Sequence, residues 1–501
     1  MISDKTDEEK KEPMNRREFL KGTAWMGAVA AAAGCKSYDL ALGTGFGGSM
    51  DGFAVPPLER IRVGVVGLGH RGADAARRLS TVPGIEVTAL CDLRPEQIAY
   101  TQSLLKKNGV QAKLEFTGSE GWKRMCEADI DLVYNVTDWA HHTPICVYAM
   151  EHGKHAFMEV PAAVTVEECW QLVETAERMR RHCMMLENCN YGDTELLMYN
   201  LCQSGALGEL VHAECAYIHD LRWNCYETGE NGYWDHWRLR FNAAHKGNGY
   251  PTHGFGPVCW YMDINRGDAL DYLVSLESQQ ANFEHYARET RPGGGDQWKR
   301  DTKVAMGDMN TTLVKTVKGR SIMIQHDVST PRPYSRINLI TGTKGAFWGM
   351  PWRVKGVDQW RVALEDKCGD RGADMWRTRE EAKDIEEKYQ HQMWREAGKI
   401  AKLAGGHGGK DFMMDLRWVY CLQNGLPLDI SVYDSASWSC IRELSEISVR
   451  AGSAPQKIPD FTRGGWKTAK PLGDMKIDFT KLLLTPKFQD LLRKQDAGFK
   501  S

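Results

Sequence analysis

A glycine-rich turn between a strand pattern and a helix pattern constrains the fold of this chain more than any other feature. Residues 60–66 form a β-rich run, residues 67–72 follow the spacing Gly-x-Gly-x-x-Gly, and residues 73–79 have a helical composition. A second strand pattern, residues 85–92, ends in an acid that lies 20 residues beyond Gly72. Strand, glycine turn, helix, strand and acid is the order of a dinucleotide-binding Rossmann unit.

The residues of this unit have separable expected roles. Gly67 makes the tight turn, Gly69 lets the backbone approach the pyrophosphate, and Gly72 permits close packing of the helix. The first helix turn then offers N–H groups and a partial positive charge to the phosphates. Asp92 is placed to accept hydrogen bonds from the adenosine ribose, which favours NAD over NADP.

Later segments continue the parallel sheet and then change character. Residues 130–136 read as a buried strand, 137–144 as a turn, 145–153 as a helix and 155–159 as a strand. Strand-like runs at 209–218, 273–278 and 321–328 predict a largely antiparallel sheet in a second domain. Residues 222–249 and 291–296 are expected to be loops.

The predicted fold class is therefore α/β, with an N-terminal doubly wound Rossmann sheet and a C-terminal α+β domain. A late helix is expected at 486–494, in a segment that packs across the domains or at a subunit contact. The predicted boundaries are a signal peptide at 1–35, a linker at 36–59, the Rossmann domain at 60–190, the substrate domain at 191–455 and a C-terminal packing segment at 456–501.

The N-terminus carries an export pattern. Residues 15–21, Asn-Arg-Arg-Glu-Phe-Leu-Lys, precede an apolar run at 24–33, which is typical of a twin-arginine (Tat) signal. The run is too short for a permanent membrane span, and it ends at Cys35 in a sequence similar to a lipoprotein processing site. We expect a periplasmic protein, either free or held at the membrane by a lipid on Cys35.

Composition excludes some classes of function. The formal net charge of −2 provides no field that would gather nucleic acid or an anionic membrane. The 14 cysteines form no Cys-x-x-Cys pair, so neither a disulfide framework nor a zinc site is indicated. The 17 tryptophans are compatible with stacking on sugar rings, although most tryptophans in any protein fill the core.

A family resemblance emerges from the motifs in order. The Rossmann start, the His-Thr-Pro of residues 142–144 and Gly-Lys-His-Ala-Phe-Met-Glu-Val-Pro at 153–161 resemble the glucose-fructose oxidoreductase/inositol dehydrogenase superfamily. That superfamily usually has Glu-Lys-Pro at this turn, and its lysine assists hydride transfer at a sugar hydroxyl. Val160 stands in place of that lysine here, which counts against an ordinary sugar dehydrogenase.

Five further motifs resemble glycoside hydrolase family 109 over nearly the whole chain. They are Glu-Val-Pro at 159–161, Glu-Asn-Cys-Asn-Tyr at 187–191, Trp-Arg-Leu at 237–239, Tyr-Pro-Thr-His-Gly at 250–254 and Ile-Asn-Arg-Gly-Asp at 264–268. The resemblance implies a bacterial glycosidase with tightly held NAD, acting on terminal α-linked N-acetylgalactosamine. The expected partner is a glycan or glycoconjugate, and the protein itself is a candidate homo-oligomer.

The resemblance and the Rossmann pattern together assign residues to the two ligands. The residues expected at the cofactor are Gly67, Gly69, His70, Arg71, Gly72, Asp92, Trp139, His142, Glu159, Val160 and Asn188. The residues expected at the sugar are Tyr217, Arg238, Tyr250, Pro251, Thr252, His253 and Tyr334, with Tyr191 as a further candidate.

The resemblance also implies a redox-neutral mechanism. The sugar loses hydride from C3, then the acidified C2 proton, and then the group at C1; water adds and the hydride returns to C3. This route differs from the two-carboxylate route of most glycosidases. His253 is the first choice for the base, because histidine accepts protons near neutral pH. Tyr250 and Tyr334 are the other candidate catalytic residues, and no metal is expected.

Two other functions stay open. An exported NAD(P)-dependent sugar oxidoreductase fits the export pattern and the bound cofactor equally well, although Val160 disfavours it. A catalytically silent sugar-binding protein on the same fold is the second alternative.

Overall fold

A computed structural model describes residues 48–227, 232–290, 301–365 and 375–498. The predicted signal peptide with Cys35, residues 36–47 of the predicted linker, and the predicted loop at 291–296 lie outside these residues. Within the described part, no helix is both long and apolar enough to cross a membrane.

The first sheet has six parallel strands in the order β3-β2-β1-β4-β5-β6. Its strands are β1 (Ile61–Val66), β2 (Ile85–Asp92), β3 (Leu114–Thr117), β4 (Leu132–Asn135), β5 (His155–Met158) and β6 (Cys183–Met185). All four residues of β4 are buried, as expected for a strand covered by helices on both faces. The doubly wound Rossmann prediction is confirmed.

The second sheet has nine strands in the order β16-β15-β12-β11-β7-β10-β9-β8-β17. Its described neighbours pair antiparallel except β7 with β10, which run parallel. These strands are β7 (Leu210–Ile218), β8 (Leu270–Glu277), β9 (Asn310–Thr316), β10 (Ser321–Asp327), β11 (Ile337–Gly342), β12 (Gly345–Met350), β15 (Arg361–Leu364), β16 (Arg377–Thr378) and β17 (Gln456–Lys457). A separate hairpin joins β13 (Arg353–Val354) to β14 (Val357–Asp358). Alternating burial along β9 shows that one face of the sheet is covered.

Helices cover the first sheet and one face of the second. They are α1 (His70–Leu79), α2 (Pro95–Lys107), α3 (Gly121–Glu127), α4 (Trp139–Glu151), α5 (Val166–Met179), α6 (Asp193–Gln203), α7 (Arg222–Tyr226), α8 (Trp237–Ala244), α9 (Thr252–Tyr261), α10 (Asn282–His285), α11 (Lys383–Tyr389), α12 (Gln392–Ala404), α13 (Lys410–Asn424), α14 (Val432–Ser439), α15 (Ile441–Arg450), α16 (Phe479–Leu482) and α17 (Pro486–Gly498).

Two sequence-based expectations about local structure were wrong. Helix α4 begins at Trp139 rather than 145, although Pro144, its sixth residue, has no N–H to donate to the preceding turn. The region 222–249 is not a loop throughout, since it contains α7 and α8. Aromatic side chains of α8 pack against Trp139 with ring centroids 4.8–5.0 Å apart, and tertiary packing of this kind stabilises short helices.

Late segments return to the Rossmann sheet. Trp418 of α13 packs edge-on against Phe157 of β5 at 5.1 Å, and Asp415 accepts a hydrogen bond from Arg78 of α1 at 2.7 Å. The C-terminal segment touches both sheets: Lys487 donates to the carbonyl of Ile85 at 2.9 Å, while β17 pairs with β8. Helix α13 therefore reaches the edge of the Rossmann sheet that carries the glycine turn.

Candidate active site

The glycine turn has the shape that a pyrophosphate site needs. Gly67 has φ +84°, and a Cβ there would lie 2.7 Å from the backbone of Thr137. A Cβ on Gly72 would lie 1.8 Å from the Gly67 carbonyl oxygen, whereas a Cβ on Gly69 would meet nothing within 4 Å. Gly69 thus faces open space at the start of α1, where His70 is exposed. This geometry leaves room for phosphate oxygens beside free N–H groups.

Asp92 closes the adenosine end of this turn. Its two carboxylate oxygens accept hydrogen bonds from the backbone N–H of Leu68 at 2.6 Å and of Arg94 at 2.9 Å. Each oxygen keeps a lone pair for a further donor, so a ribose hydroxyl fits here. Arg94 lies 3.9 Å over the ring of Trp234, which comes from the second domain.

Arg71 is held by carboxylates from both halves of the molecule. It donates to Glu159 at 2.8 Å and to Asp411 at 2.7 Å. Asp411 also accepts from Asn188 and lies 3.4 Å from Arg78. Burial alone would raise the pKa of Asp411, but Arg71 and Arg78 hold it well below its usual value. Asp411 is therefore a charged hub for the predicted cofactor residues.

Asn188 has one donor in use and one acceptor available. Its amide nitrogen binds Asp411, whereas its buried Oδ1 has no hydrogen-bond partner among the described residues. A buried acceptor without a partner is costly, and the carboxamide N–H of a nicotinamide is a donor of the right kind. The residues present thus fit NAD at both ends of the site.

Three predicted cofactor residues lie around the turn after β5. Trp139 donates from Nε1 to the Val160 carbonyl at 3.1 Å. Both ring nitrogens of His142 face backbone carbonyls, of Pro161 at 2.7 Å and Thr137 at 3.1 Å. The ring is fully buried and burial lowers the pKa of His142, so the neutral imidazole has one N–H and donates to only one of these two carbonyls.

Predicted sugar residues meet in an aromatic cage around a buried arginine. The guanidinium of Arg238 lies 4.9 Å from the ring of Trp139, 5.0 Å from that of Tyr250 and 5.9 Å from that of Tyr217. It donates to Tyr233 at 2.9 Å, but its Nε and Nη2 have no hydrogen-bond partner among the described residues. Aromatic faces stabilise a cation only in part, so these two donors suit a ligand oxygen.

His253 forms a buried pair with Glu187. Its Nδ1 lies 2.6 Å from Glu187 Oε1, and its Nε2 lies 3.4 Å from the Tyr250 hydroxyl. Burial disfavours the imidazolium, but Cys189 and Glu187 together raise the pKa of His253 well above its usual value. Burial would raise the pKa of Glu187, but His253 holds it below its usual value. At neutral pH the pair is therefore ionic, and His253 is a stronger base than an ordinary histidine once it loses its proton.

The remaining predicted residues fall into different positions. The hydroxyl of Tyr334 accepts from Arg336 at 2.8 Å, and its ring lies 6.3 Å from that of Tyr217 at the cage. Pro251 and Thr252 are buried at the start of α9, directly before His253. Tyr191 packs in the core and donates to Asp429 at 3.2 Å, so it is not brought to the cage.

Sequence reasoning missed the partners of these residues. The motif at residues 187–191 predicted no role for Glu187, and no sequence pattern pointed to Asp411. His407 was also missed, although its flanking residues, Gly405-Gly406 and Gly408-Gly409, were a visible sign. Its exposed ring lies 2.8 Å from Arg71 and 3.0 Å from Asp411. This places a titratable imidazole against the cofactor residues.

One described cluster has metal-binding side chains. Single ligand atoms of Glu187, Cys189 and His253 lie within 4.8 Å of one another. The Glu187–His253 hydrogen bond uses two of these groups, and the Lys410 ammonium lies 3.9 Å from Cys189 Sγ. A nearby cation opposes a divalent metal ion, so the expectation of no metal is kept as a prediction.

Comparisons with known proteins agree with this architecture. Residues 191–468 match the family described as glycosyl hydrolase 109, C-terminal domain, and residues 61–187 match an oxidoreductase family with an NAD-binding Rossmann fold. An α-N-acetylgalactosaminidase of Bacteroides fragilis is 48% identical over 421 residues, which cover 83% of this chain and 95% of the relative. A glycosyl hydrolase family 109 protein of Porphyromonas gingivalis is 46% identical, covering 83% of this chain and 87% of the relative.

Solved structures share the fold at low identity. A levoglucosan dehydrogenase in complex with NADH and levoglucosan superposes with a TM-score of 0.60 at 16% identity, covering 80% of this chain and all of the other. An oxidoreductase domain protein from Kribbella flavida gives the same score, identity and share of this chain, and 99% of its own. These likenesses establish the fold of both domains together.

Proposed function

Because the chain belongs to glycosyl hydrolase family 109, we propose that it releases terminal α-linked N-acetylgalactosamine from glycans or glycoconjugates. Residues 61–187 form an NAD-binding Rossmann fold, and the cofactor is NAD. The family assignment confirms the resemblance found in the sequence. It also makes the protein a glycosidase that uses a redox cofactor without net oxidation.

One observation supports this combination above all: two consecutive residues join the cofactor to the base. Glu187 holds His253, and Asn188 holds the Asp411 hub beside an acceptor that is left for the cofactor. The partner of the base and the residue left for the cofactor are thus neighbours in the chain, at the start of one short helical turn (Asn188–Tyr191) that has Glu187 as its N-cap. Such fixed placement is what proton and hydride transfer on the same sugar require.

The residues of this chain have distinct tasks in that reaction. NAD, when bound, would accept a hydride from the sugar carbon that carries the hydroxyl group and later return it. His253, aligned by Glu187, takes a proton from the sugar, and the Tyr250 hydroxyl is the next group along its Nε2 side. The two unused donors of Arg238 bind a sugar oxygen or the acetamido carbonyl, where charge-assisted hydrogen bonds are strongest.

Nitrophenol release tests the proposal. Purified protein is incubated with p-nitrophenyl α-N-acetylgalactosaminide without added NAD, and nitrophenol and absorbance at the NADH wavelength are followed together. Release without net NADH supports the hydrolase. NADH formation from free sugars without release would instead establish a sugar oxidoreductase, and silence in both assays would favour a sugar-binding protein.

We further propose export by the Tat route to the periplasm, with a lipid on Cys35 as a membrane anchor. The support is the twin-arginine pattern and the following apolar run in the sequence. Changing Arg16 and Arg17 to Lys should retain the protein in the cytoplasm, and Cys35→Ala should move it from the membrane to the soluble periplasmic fraction. A homo-oligomer stays a prediction, which light scattering on the purified protein would test.

A further inference from the structure

Lys410 occupies a position that local electrostatics disfavour. It is the first residue of α13, after Gly409 with φ +99°. The N-terminus of a helix carries a partial positive charge, so a cation there is destabilising. Violations of local rules of this kind concentrate at functional sites.

Lys410 forms no salt bridge with a described residue. Its Nζ lies 3.9 Å from Cys189 Sγ, and no carboxylate oxygen of a described residue lies within 4.0 Å. Burial and Arg336 oppose the ammonium, yet Cys189, Tyr334 and Glu195 raise the pKa of Lys410 above its usual value. The side chain is half-buried and so keeps a fixed charge that is only weakly paired.

The lysine lies between the two sides of the sugar site. Cys189, its contact, is within 4.8 Å of the donor atoms of Glu187 and His253. On the other side, the buried Arg336 joins Glu195 to the Tyr334 hydroxyl. A Cβ at Gly192 would come within 3.1 Å of the Lys410 stem, so the absence of a side chain there leaves room for it.

We propose that Lys410 binds the sugar oxygen that becomes negatively charged in the reaction, an inference that rests on the proposed function. When the C2 proton of the 3-keto sugar passes to His253, the C–H electron pair forms a C2=C3 double bond and places negative charge on O3. Collapse of this enolate restores the carbonyl, forms a C1=C2 bond and expels the C1 oxygen with its electron pair. Val160 is apolar, so position 160 supplies no charged donor for O3.

The alternative is that Lys410 has only a structural role, through its contact with Cys189. The two roles predict different behaviour of the variants. A lysine that serves only this contact would be dispensable when Cys189 is also removed, whereas a lysine that binds O3 would not.

The test compares Lys410→Ala and Lys410→Arg with Lys402→Ala, a change of an exposed lysine on α12. In Lys410→Ala we expect a fall in kcat of about 10²- to 10³-fold, the usual loss for one donor to a developing oxyanion. Incorporation of solvent deuterium at C2 of the product should fall in parallel. NAD content and melting temperature should stay unchanged, and ethylammonium should restore part of the rate. Lys410→Arg should retain more activity than Lys410→Ala.

Four outcomes would overturn the proposal. They are wild-type kcat and C2 exchange in Lys410→Ala, loss of NAD from that variant, absence of amine rescue, or recovery of activity in the double variant with Cys189→Ala. If the wild-type protein releases no nitrophenol, the inference about Lys410 is tested by the incorporation of solvent deuterium at C2 of free N-acetylgalactosamine. Deuterium exchange that depends on Lys410 would support this inference although the hydrolase proposal would be wrong. No exchange in the wild-type protein would contradict both.

Discussion

The buried arginines on the predicted cofactor side and on the predicted sugar side of the site differ in whether a carboxylate pairs with them. Arg78 beside the cofactor turn lies 2.7 Å from Asp415 and 3.4 Å from Asp411. Arg238, almost as deeply buried, contacts aromatic faces and the Tyr233 hydroxyl but no carboxylate among the described residues. The buried arginine on the cofactor side is paired with carboxylates of the protein, whereas the buried arginine on the sugar side keeps donors for a ligand.

This difference fits the two ligands. A tightly held cofactor needs a stable cradle, and complete ion pairs provide one. A substrate that enters and leaves at every turnover binds better to groups whose hydrogen bonds are not already made. In this structure, the buried arginine without a carboxylate partner among the described residues lies on the side of the site where we propose that the sugar reacts.

The largest expected effect comes from removing each arginine in turn. Arg78→Met should lower the free energy of unfolding by about 3–5 kcal/mol, because it leaves buried carboxylates uncompensated. Arg238→Met should be neutral or stabilising, because it removes a buried cation that has no ionic partner. Urea unfolding of both variants checks this. Equal losses of stability would mean that the comparison is wrong.

Removal of the base should abolish most turnover. His253→Ala is expected to lower kcat by about 10²- to 10⁴-fold, the usual contribution of a positioned acid–base group. His152→Ala, at the exposed end of α4, is the matched control and should retain full activity. Steady-state nitrophenol release measures both, and an active His253→Ala variant would remove His253 from the mechanism.

Two glycines separate stability from cofactor binding. Gly72→Ala should destabilise the protein by about 1–3 kcal/mol, because its Cβ would overlap the Gly67 carbonyl. Gly69→Ala should leave stability within about 0.5 kcal/mol of wild type, since its Cβ meets no protein atom, but it should weaken NAD binding. Thermal melting and the NAD content of the purified variants distinguish the two. Full NAD content in Gly69→Ala would contradict the assigned phosphate position.

The smallest effect is a shift of the pH profile. His253 must be neutral to act as a base, and Glu187 helps to hold its pKa well above the usual value. Activity should therefore rise with pH through that pKa. In Glu187→Gln the pKa falls, and the rising limb should move to lower pH by about one to three pH units. A profile of kcat/KM against pH for both proteins measures the shift; an unmoved limb would assign it to another group.

The sequence by itself determined the Rossmann half, the mainly antiparallel second sheet and the family. These rest on local patterns, because strand periodicity and the Gly67–Gly69–Gly72 turn act within a few residues of one another. The motifs also named His253, Tyr250 and Arg238, which the fold brings together. The start of α4 and the presence of α7 and α8 were misjudged; for α8, aromatic packing of Trp237 and Phe241 against Trp139 overrode the local pattern.

Only the tertiary structure decided which groups are paired. Asp411 contacts Arg71 over a sequence separation of 340 residues, and Glu187 contacts His253 over a separation of 66. No local spacing in the sequence therefore predicts either contact. Burial decides the rest: the same residue type is a structural cation at Arg78 and an unpaired one at Arg238 because of the carboxylates around it. Charge in a protein interior depends on neighbours that are distant in the chain, and for that reason the chemistry of this site became visible only in the fold.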